Sequence, residues 1–515
     1  MNRITAPGHF DLRNSLVILI STAVFCGLAV WMVIPAPPTG FYWDDTWYLL
    51  MAESLSGRSD HQELAWTMLQ LRQYPPLFPF TLSLSGEILV TQKNAFIMNA
   101  LFLALGTGVA MAWFAREGFP AWTSVLAAVL LMFNPVALSW LPTLFSEHLF
   151  ILLTTSALAL ASLRSDRLSL WLGIGIIVGL SVATRSAGWA LAAGMLIFLA
   201  LNRKFNPIPV FVLGLVAGLL TIPFFKAGFP PAKSYLEELT ENLKNVDWGY
   251  LVQQARALLA GWQSLWGSGI GAILAAMLML PGLGIRLTRN RPDAWYIVVY
   301  LAMLMAWPFP EHMSRFLWPL MPAFLVAGYS SVDLFRNAKF SSFVASLTMG
   351  IILALSVPGG IGKSLERLVN PPPSELYELS RMREWTRSSD RQMGVGILQT
   401  RRQFLHDMRQ IAGITDNSLC IYSELSMMVT AQTLRVSLVS PWRTLDELDS
   451  AQIQCPYYYM IPSALPGTTT ADVDSFGAVH KELFRSLAPY DPEGEQLLGV
   501  FFVWRPPSSQ QRDSN

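Results

Sequence analysis

Long apolar runs alternate with short polar loops through the first 360 residues of the chain. A bilayer core is crossed by about 20 apolar residues in a helix. By that length rule the pattern predicts about eleven membrane spans. They are Ser15–Pro35, Ala95–Ala115, Ala121–Trp140, Leu144–Leu163, Leu168–Ala183, Ala187–Leu201, Pro207–Phe225, Leu265–Ile285, Ala294–Pro308, Arg315–Phe335 and Ser341–Pro358.

One further apolar segment, Leu77–Val90, is short and carries Glu87. Because a charge near the bilayer centre is costly, we expect this segment to lie along the interface instead of crossing. The first exposed loop then runs from Ala36 to Asn94. It is predicted to contain two juxtamembrane helices, one beginning near Asp44 and the other opening with Tyr74-Pro75-Pro76, where proline suits a first turn.

The loops show a consistent charge asymmetry. Given the predicted spans, twelve basic residues fall on one side, which the positive-inside rule assigns to the cytoplasm. The chain is therefore expected to be a multi-pass protein of the inner (plasma) membrane with a cytoplasmic N-terminus. These residues are Arg3, Arg13, Arg116, Arg164, Arg167, Arg203, Lys204, Arg286, Arg289, Arg291, Arg336 and Lys339.

The pattern changes after Pro358, where no span-length run remains. Short alternating segments typical of strands occur among helical patterns. We therefore predict two domains: residues 1–360 in the membrane, and a soluble α/β domain at 361–515 outside the cytoplasm. That domain could recognise a substrate, act as a lid, or serve as structural support. The predicted helices are Glu375–Ser388 and Leu398–Gly413, and the predicted strands are Ser418–Ser423, Arg435–Leu438, Pro456–Ile461 and Glu495–Trp504.

Composition supports a polytopic membrane protein. Hydrophobic residues make up 52% of the chain and charged residues only 14%, against roughly 25% charged in soluble domains. A net charge of +1 without basic runs gives no sign of nucleic-acid binding. Of the three cysteines, Cys26 lies in an apolar span, whereas Cys420 and Cys455 could form one bridge in the polar tail.

The first candidate site is the acid pair Asp44-Asp45 in the stretch GFYWDDTWYLL. The surrounding aromatic residues favour the level of the lipid headgroups, which would hold both carboxylates at the membrane surface. Such a position suits a base that meets a lipid-borne substrate. The structural alternative is a solvated loop with an aromatic belt.

Three later motifs fall on the same non-cytoplasmic side. Glu147 and His148 follow Ser146 at a predicted helix start, where Ser146 could instead be a simple N-cap. Arg185 lies between two short spans, and an arginine there should meet an anion. The segment PEHMSR supplies Glu311, His312 and Arg315 before the next span.

Together these motifs resemble the GT-C superfamily of integral-membrane glycosyltransferases, in particular the branch with protein O-mannosyltransferases, lipid A aminoarabinose transferases and rhizobial core galacturonosyltransferases. The matching pieces are Asp-Asp followed by Tyr48, Tyr-Pro-Pro-Leu-Phe-Pro, Ser-Glu-His-Leu-Phe, Ala-Thr-Arg-Ser-Ala-Gly and Ser-Arg-Phe-Leu-Trp-Pro-Leu-Met-Pro. They occur in the family's order between residues 15 and 335. The implied fold is a GT-C membrane domain of about eleven helices.

The resemblance implies roles for several residues. Asp44 matches the catalytic base and Glu147 the second acidic position, with Asp45 as a further catalytic candidate. Two departures are Tyr74, where the aminoarabinose transferases have Lys, and Trp47, where they have Arg. Because both missing cations are implied phosphate ligands, Arg185 and Arg315 would have to bind the donor phosphate here. Tyr74, His148, Glu311 and His312 complete the expected substrate-binding set.

The expected reaction moves a sugar from a polyprenyl-phosphate donor to a hydroxyl of a lipid, glycan or protein, with inversion. One base takes the acceptor proton, and the departing phosphate needs only cations. Asp45 or Glu147 could help His148 hold a divalent metal, although the sequence does not define such a site. The alternatives are a flippase or transporter of a lipid-linked sugar, which would place charges at mid-depth, or a non-catalytic scaffold.

The topology is testable by cysteine accessibility in sealed cells. Single cysteines at Ser59, Ser139, Ser234 and Ser418 should react with an impermeant reagent, because all four positions are predicted to lie outside. Cysteines at Ser165 or Asn290 should react only after permeabilisation. Labelling of Ser59 and Ser418 from opposite sides would disprove the predicted number of spans.

Overall fold

The structure is a computed structural model of the 515-residue chain. It describes residues 12–33, 43–56, 74–86, 92–141, 143–163, 165–226, 246–307, 309–331, 346–347, 350–355, 403, 406–415, 420–423, 437–439, 457–460, 470–479, 481–487 and 497–503. The chain divides into two compact units, Met1–Ala36 with Arg72–Ser85 and Lys93–Asn370, and Pro37–Leu71 with Gly86–Gln92 and Pro371–Asn515. The predicted boundary after residue 360 stays a prediction.

The first unit is built from helices. In chain order they are α1 (Leu12–Val33), α3 (Leu77–Ser83), α4 (Gln92–Arg116), α5 (Ala121–Phe133), α6 (Pro135–Trp140), α7 (Glu147–Ala161), α8 (Leu168–Thr184), α9 (Gly188–Leu201), α10 (Pro207–Leu219), α11 (Thr221–Lys226), α12 (Trp248–Leu265), α13 (Gly269–Thr288), α14 (Pro292–Met305), α15 (Met313–Leu317) and α16 (Met321–Ser330). Two 3₁₀ turns, Pro310–His312 and Trp318–Leu320, flank α15. Helix α2 (Trp43–Ser56) belongs to the second unit.

Four helices in the described part of the chain are long and apolar enough to cross a membrane: Ser15–Val33, Lys93–Arg116, Pro207–Phe225 and Gly269–Thr288. Five shorter apolar helices accompany them: Ala121–Phe133, Glu147–Ala161, Leu168–Thr184, Gly188–Leu201 and Pro292–Met305. The predicted helical membrane architecture is therefore confirmed in outline. The count of about eleven spans stays a prediction.

The helices of the first unit differ in detail from the sequence predictions. Ala121–Trp140 divides into α5 and α6 at Asn134, whose extended backbone and following Pro135 end the first helix and start the second. The side chain of Asn134 caps α6 by accepting from the Ala137 N–H at 2.9 Å. The 18-residue helix α12 was not predicted at all, because its apolar positions are too scattered to form a span.

The segment expected to lie along the interface contains α3, which has only seven residues. At 1.5 Å per residue that helix is about 10 Å long, a third of the thickness of the hydrocarbon core. A turn follows at 84–86. This length agrees with a segment that does not cross, and Val90 lies outside the described residues.

Helices α8 and α10 pack closely against each other. Each helix carries two glycines four residues apart, Gly175 and Gly179 on one and Gly214 and Gly218 on the other. A Cβ on Gly175 would lie 2.2 Å from the Phe211 carbonyl oxygen, so only glycine permits this approach. Small residues at this spacing let membrane helices pack backbone to backbone.

The second unit contains one five-stranded sheet. Its strands are β1 (Ile421–Ser423), β2 (Ser437–Val439), β3 (Tyr457–Met460), β4 (Lys481–Leu487) and β5 (Leu497–Val503), in the spatial order β2-β1-β3-β5-β4. Strands β1, β2 and β3 run parallel, whereas β5 is antiparallel to β3 and β4. Helix α17 (Thr470–Val479) lies between β3 and β4 in sequence.

The predicted mixture of helices and strands is present in the C-terminal part, with boundaries shifted by a few residues. Strand β4 was missed, and the predicted helix at Leu398–Gly413 is helical at 403 and 406–414. The core of the sheet contains Met408, Ile411, Ile421, Tyr459 and Phe501. The predicted helix Glu375–Ser388 lies outside the described residues, and the solubility of this part stays a prediction.

A buried carboxylate connects several elements of this unit. Asp407 is fully buried and accepts hydrogen bonds from Tyr459 Oη at 2.7 Å, Ser486 Oγ at 2.5 Å and Gln403 Nε2 at 3.0 Å. Burial raises the pKa of the Asp407 carboxyl, and the three hydrogen bonds oppose that rise only in part. Asp407 thus joins β3, β4 and the helix at 406–414.

We expect the sheet to lose stability as pH rises because of Asp407. A raised pKa means that the folded state holds the proton more tightly, so the stabilisation is complete below the unfolded pKa of about 3.9 and is lost as pH rises through the folded pKa. Hydrogen exchange of β3 and β5 amides in the full-length protein, corrected for intrinsic rates, should therefore show protection that falls as pH rises above about 4. Asp407→Asn should abolish this trend.

Asp474→Asn is the matched control, because the Asp474 side chain is 56% exposed in its ion pair with Arg485. It should keep the wild-type dependence on pH. An identical trend in the wild type and in Asp407→Asn would contradict the assignment.

Candidate functional site

Three separate segments of the first unit bring predicted site residues together. Glu147 and His148 form the first turn of α7, Arg185 follows the last residue of α8, and Arg315 lies in the short helix α15. These residues are up to 168 positions apart in sequence, yet Arg315 and Glu147 are in direct contact. The structure therefore brings Glu147, Arg185 and Arg315 together, and their location on one side of the membrane stays a prediction.

Local sequence explains how each segment presents its side chain. Arg185 has an extended backbone with φ −152° and ψ 139°, so it ends α8 and projects between α8 and α9. Helix α15 is only five residues long, because Pro310 and Pro319 place 3₁₀ turns on both sides of it. Arg315 consequently lies on a short, tightly bounded helix instead of within a continuous span.

One carboxylate holds both guanidinium groups. Glu147 Oε2 lies 2.7 Å from Arg185 Nη1, and Arg315 Nε donates to Glu147 Oε1. Glu147 is fully buried, Arg315 is 6% exposed, and the Arg185 side chain is 12% exposed. In surroundings this dry, charge-assisted bonds are strong and orient the groups that they join.

Ser146 has a different role from the predicted one. It is the N-cap residue of α7, but its hydroxyl makes no capping hydrogen bond. Instead Ser146 Oγ accepts from Arg185 Nη1 at 3.1 Å. The serine therefore helps to fix Arg185.

Aromatic rings enclose the arginines. Arg315 Cζ lies 3.8 Å from the centroid of Phe145 and 6.0 Å from that of Trp140. Phe316 lies 5.6 Å from both Arg185 Cζ and Arg315 Cζ. A desolvated cation over an aromatic face gains about 2 kcal/mol. These rings were not selected from the sequence as site residues, although Phe145 directly precedes the Ser-Glu-His motif.

Among the described side chains of this cluster, positive charges outnumber negative ones. Two guanidiniums and one carboxylate sum to +1, and all three are largely buried. The N-terminal end of α7, from which Glu147 projects, adds the partial positive charge of a helix terminus. Such an arrangement favours an anionic ligand with oxygen acceptors, such as a phosphate.

His148 packs against an aromatic ring, whereas Glu147 pairs with two arginines. Its ring is fully buried and meets Trp318 edge-on, with ring centroids 5.2 Å apart. Within the part of the chain that the structure describes, neither ring nitrogen has a hydrogen-bond partner. The described residues contain no group of three or more His, Cys, Asp or Glu side chains that could hold a metal ion. Glu147 already forms ion pairs with Arg185 and Arg315. Its oxygens are therefore poorly available to a metal ion.

The remaining predicted residues are placed only in part. Asp44 and Asp45 lie in the first turn of α2, as predicted for the first juxtamembrane helix, and their side chains are outside the described set. The Glu311 side chain is likewise outside it. His312 packs against Phe316 with ring centroids 6.2 Å apart, and Tyr74 is buried immediately before α3. The roles assigned to these residues stay predictions.

A second ionic cluster was missed by the sequence analysis. Arg286 Nη2 donates to Asp293 Oδ1 at 2.7 Å, and Arg286 Nη1 contacts Glu117 Oε2 at 2.9 Å and Ser330 Oγ at 3.0 Å. The sequence pattern identifies Arg286 only as a basic residue of the predicted cytoplasmic side. Its burial, at 4% exposed, shows that it also ties the ends of α13 and α16 to the start of α14 and the residue after α4.

Comparison with known proteins gives a family match for part of the chain. Residues 73–225 match the family described as dolichyl-phosphate-mannose-protein mannosyltransferase. This stretch contains Glu147 and Arg185 but ends before Arg315. No curated protein matches the chain in sequence.

Solved structures give the fold. The chain is similar to ArnT from Cupriavidus metallidurans bound to undecaprenyl phosphate, at 14% identity over 96% of this chain and 98% of that chain, with a TM-score of 0.53. It also aligns with the oligosaccharyltransferase of Archaeoglobus fulgidus tethered with an acceptor peptide, at 13% identity over 97% of this chain and 74% of that chain, with a TM-score of 0.46. The family match and the fold of ArnT confirm the resemblance to the GT-C superfamily of membrane glycosyltransferases.

Coupling within the Glu147 cluster can be measured directly. Glu147→Gln leaves two buried guanidiniums without their shared carboxylate, and breaking a buried ion pair in this way costs about 3–5 kcal/mol. We expect a clearly lower thermal midpoint of unfolding for the purified protein in detergent. Adding Arg315→Met should cost much less than Arg315→Met alone costs in the wild type, because the cation is then no longer left uncompensated.

Asp166→Asn is the control, since its ion pair with Lys204 is on the surface and the Asp166 side chain is 80% exposed. Its effect on the midpoint should be small. Additive effects of Glu147→Gln and Arg315→Met would show that the two side chains do not act as one unit.

Proposed function

We propose that this chain is a membrane glycosyltransferase that moves a sugar from a polyprenyl-phosphate donor to an acceptor hydroxyl at the extracytoplasmic face. The observation that carries the proposal is the buried cluster in which two guanidiniums, those of Arg185 and Arg315, share the Glu147 carboxylate. A phosphate is the substrate group that such a cluster would recognise. The undecaprenyl phosphate bound to ArnT, a protein of the same fold, gives independent support for a lipid phosphate of this class.

In the proposed reaction the acceptor oxygen attacks the anomeric carbon of the sugar. The bond between that carbon and the phosphate oxygen breaks, and the lipid phosphate leaves with the electron pair. Arg185 and Arg315 stabilise the charge that develops on this phosphate. The acceptor proton passes to Asp44, and the single displacement inverts the anomeric centre.

Glu147 is proposed as a positioning residue in this scheme. Its two oxygens face two guanidiniums at ion-pair distance, so it is poorly suited to take a proton from the acceptor. Its contribution is to hold both cations side by side before the donor arrives. Asp45 remains a second candidate for the base, and Tyr74, His148, Glu311 and His312 remain proposed substrate contacts.

The proposed location of the second unit has its own support. Cys420 is disulfide-bonded, as the sequence allowed, and Cys26 is free; Cys455 lies outside the described residues. Disulfides persist mainly in oxidising compartments. This agrees with an extracytoplasmic C-terminal domain, an inner-membrane location and a cytoplasmic N-terminus.

The test is sugar transfer in proteoliposomes supplied with a labelled polyprenyl-phosphate sugar and candidate lipid or glycan acceptors. Asp44→Asn keeps the shape of the side chain but removes its basicity, so transfer should fall by at least the ~10²-fold typical of losing a general base. Arg185→Gln or Arg315→Gln should instead raise the KM for the donor more than the KM for the acceptor. Asp166→Asn serves as a matched surface control.

The outcomes separate the alternatives. Near-normal turnover in a correctly inserted Asp44→Asn protein would move the base to Asp45 or Glu147. Equal losses for donor and acceptor in the arginine variants would remove the phosphate role. Movement of the labelled lipid across the bilayer without any transfer would favour a flippase.

A further inference from the structure

Helix α12 (Trp248–Leu265) has an inner face that is bound to the segment leading to Arg315. Tyr250 Oη and Gln254 Nε2 both donate to the Trp307 carbonyl oxygen at 2.7 Å. Gly261 approaches so closely that a Cβ there would lie 2.9 Å from Ser314 N. This face of α12 therefore supports the backbone on both sides of the Pro310–His312 turn.

A second face is apolar and exposed. Successive residues of a helix are about 100° apart, so positions 248, 252, 255 and 259 form one narrow stripe. Trp248 is 79% exposed and Leu259 is 65% exposed. Val252 is half-buried and Ala255 is exposed. Large apolar side chains in such a row are expected to be covered by a partner.

A third face is polar and lies about 90° from the apolar stripe around the helix axis. It carries Gln253, Arg256 and Gln263, all exposed, together with the small exposed residues Gly249 and Ala260. The helix thus presents protein contacts, apolar side chains and polar side chains in three separate directions. The protein-contacting face lies about 150° from the apolar stripe. A helix in a bilayer interface can therefore meet lipid chains, headgroups and protein on three separate faces.

The neighbouring helix indicates what covers the apolar stripe. Helix α12 is not among the four helices long and apolar enough to cross a membrane, whereas α13, which begins at Gly269, is one of them. The outward residues of α13 are apolar and mostly exposed: Ile270 64%, Ile273 62%, Met277 68% and Leu280 67%. Because α12 ends only four residues before α13 begins, its apolar stripe continues into a surface built for lipid.

We infer that α12 lies in the headgroup layer of the membrane, with Trp248 and Leu259 in the lipid and Arg256 directed toward lipid phosphates. The bilayer itself is the partner of this surface. Since the inner face of α12 holds the backbone near Arg315, contact with lipid also steadies the segment that carries this cation. The inference does not depend on which sugar or acceptor the protein uses.

Nitroxide collision measurements test the placement of α12. Labels are attached to Leu259→Cys, Gln263→Cys and Ile273→Cys in full-length protein with Cys26→Ser, reconstituted in nanodiscs of phosphatidylethanolamine and phosphatidylglycerol. At 259 collisions with oxygen should exceed those with a water-soluble nickel chelate several-fold. Position 263 should show the reverse, and position 273 should report a greater depth than 259.

Two results would overturn the inference. Nickel access at 259 equal to that at 263 would place the stripe in water. Low access to both reagents at 259, with dipolar broadening between labels, would mean that a second copy of the chain covers the stripe.

The link to the site has a separate measurement. Leu259→Asp should weaken the seating of α12 in lipid and speed hydrogen exchange of the amides at 309–317, whereas Gln263→Asp should leave that exchange unchanged. Unchanged exchange in Leu259→Asp, with the collision result as expected, would reject the link to Arg315. Loss of sugar transfer alone would not bear on this inference, so the readout is distinct from the test of the proposed function.

Discussion

The Glu147 carboxylate is the contact on which the first unit's candidate site depends. It joins the start of α7 to the residue after α8 and to α15 through two ion pairs in a nearly dry environment. Burying three charges is expensive, and only close geometry with additional bonds offsets that cost. The bonds are supplied by Ser146, and the aromatic rings of Phe145 and Phe316 lie against the cations. If the helices were displaced by a few ångströms, these ion pairs would break, and the buried charges would no longer be compensated.

A second ionic cluster lies at the other end of the same bundle and has the opposite sign. Arg286 with Asp293 and Glu117 sums to −1, whereas Glu147 with Arg185 and Arg315 sums to +1. The segment from Arg315 to Ser330 runs from one cluster to the other, which is roughly 22 Å if it is helical throughout. The Arg286 cluster connects four helix ends. It therefore fixes the end of α16 that is farther from Arg315.

Much of this arrangement could be predicted from sequence, because membrane spans and one-sided motifs depend on local composition. From topology the sequence predicts only that Glu147, Arg185 and Arg315 lie on one side of the membrane. What could not be predicted is pairing: nothing in the sequence shows that one acid holds two arginines, or that Ser146 bonds to Arg185 instead of capping α7. Such facts depend on distances between segments. Helix α12 was missed because its three faces average to a weak apolar signal, and β4 because its charged residues resemble a helix surface.

The lysine and arginine of the aminoarabinose transferases are missing from this chain, and their absence affects how a donor phosphate would be bound. Tyr74 and Trp47 stand where the resemblance implies cations, and both are buried. Because neither side chain carries a positive charge, neither replaces the missing cation. A donor phosphate must then be neutralised by cations elsewhere, and Arg185 and Arg315 are the arginines that a carboxylate and aromatic rings hold in place. Rigidly held cations lose little entropy when an anion binds, which improves binding without adding contacts. The proposed shift of phosphate binding from the first loop to α8 and α15 therefore requires an orienting residue, and Glu147 meets that requirement.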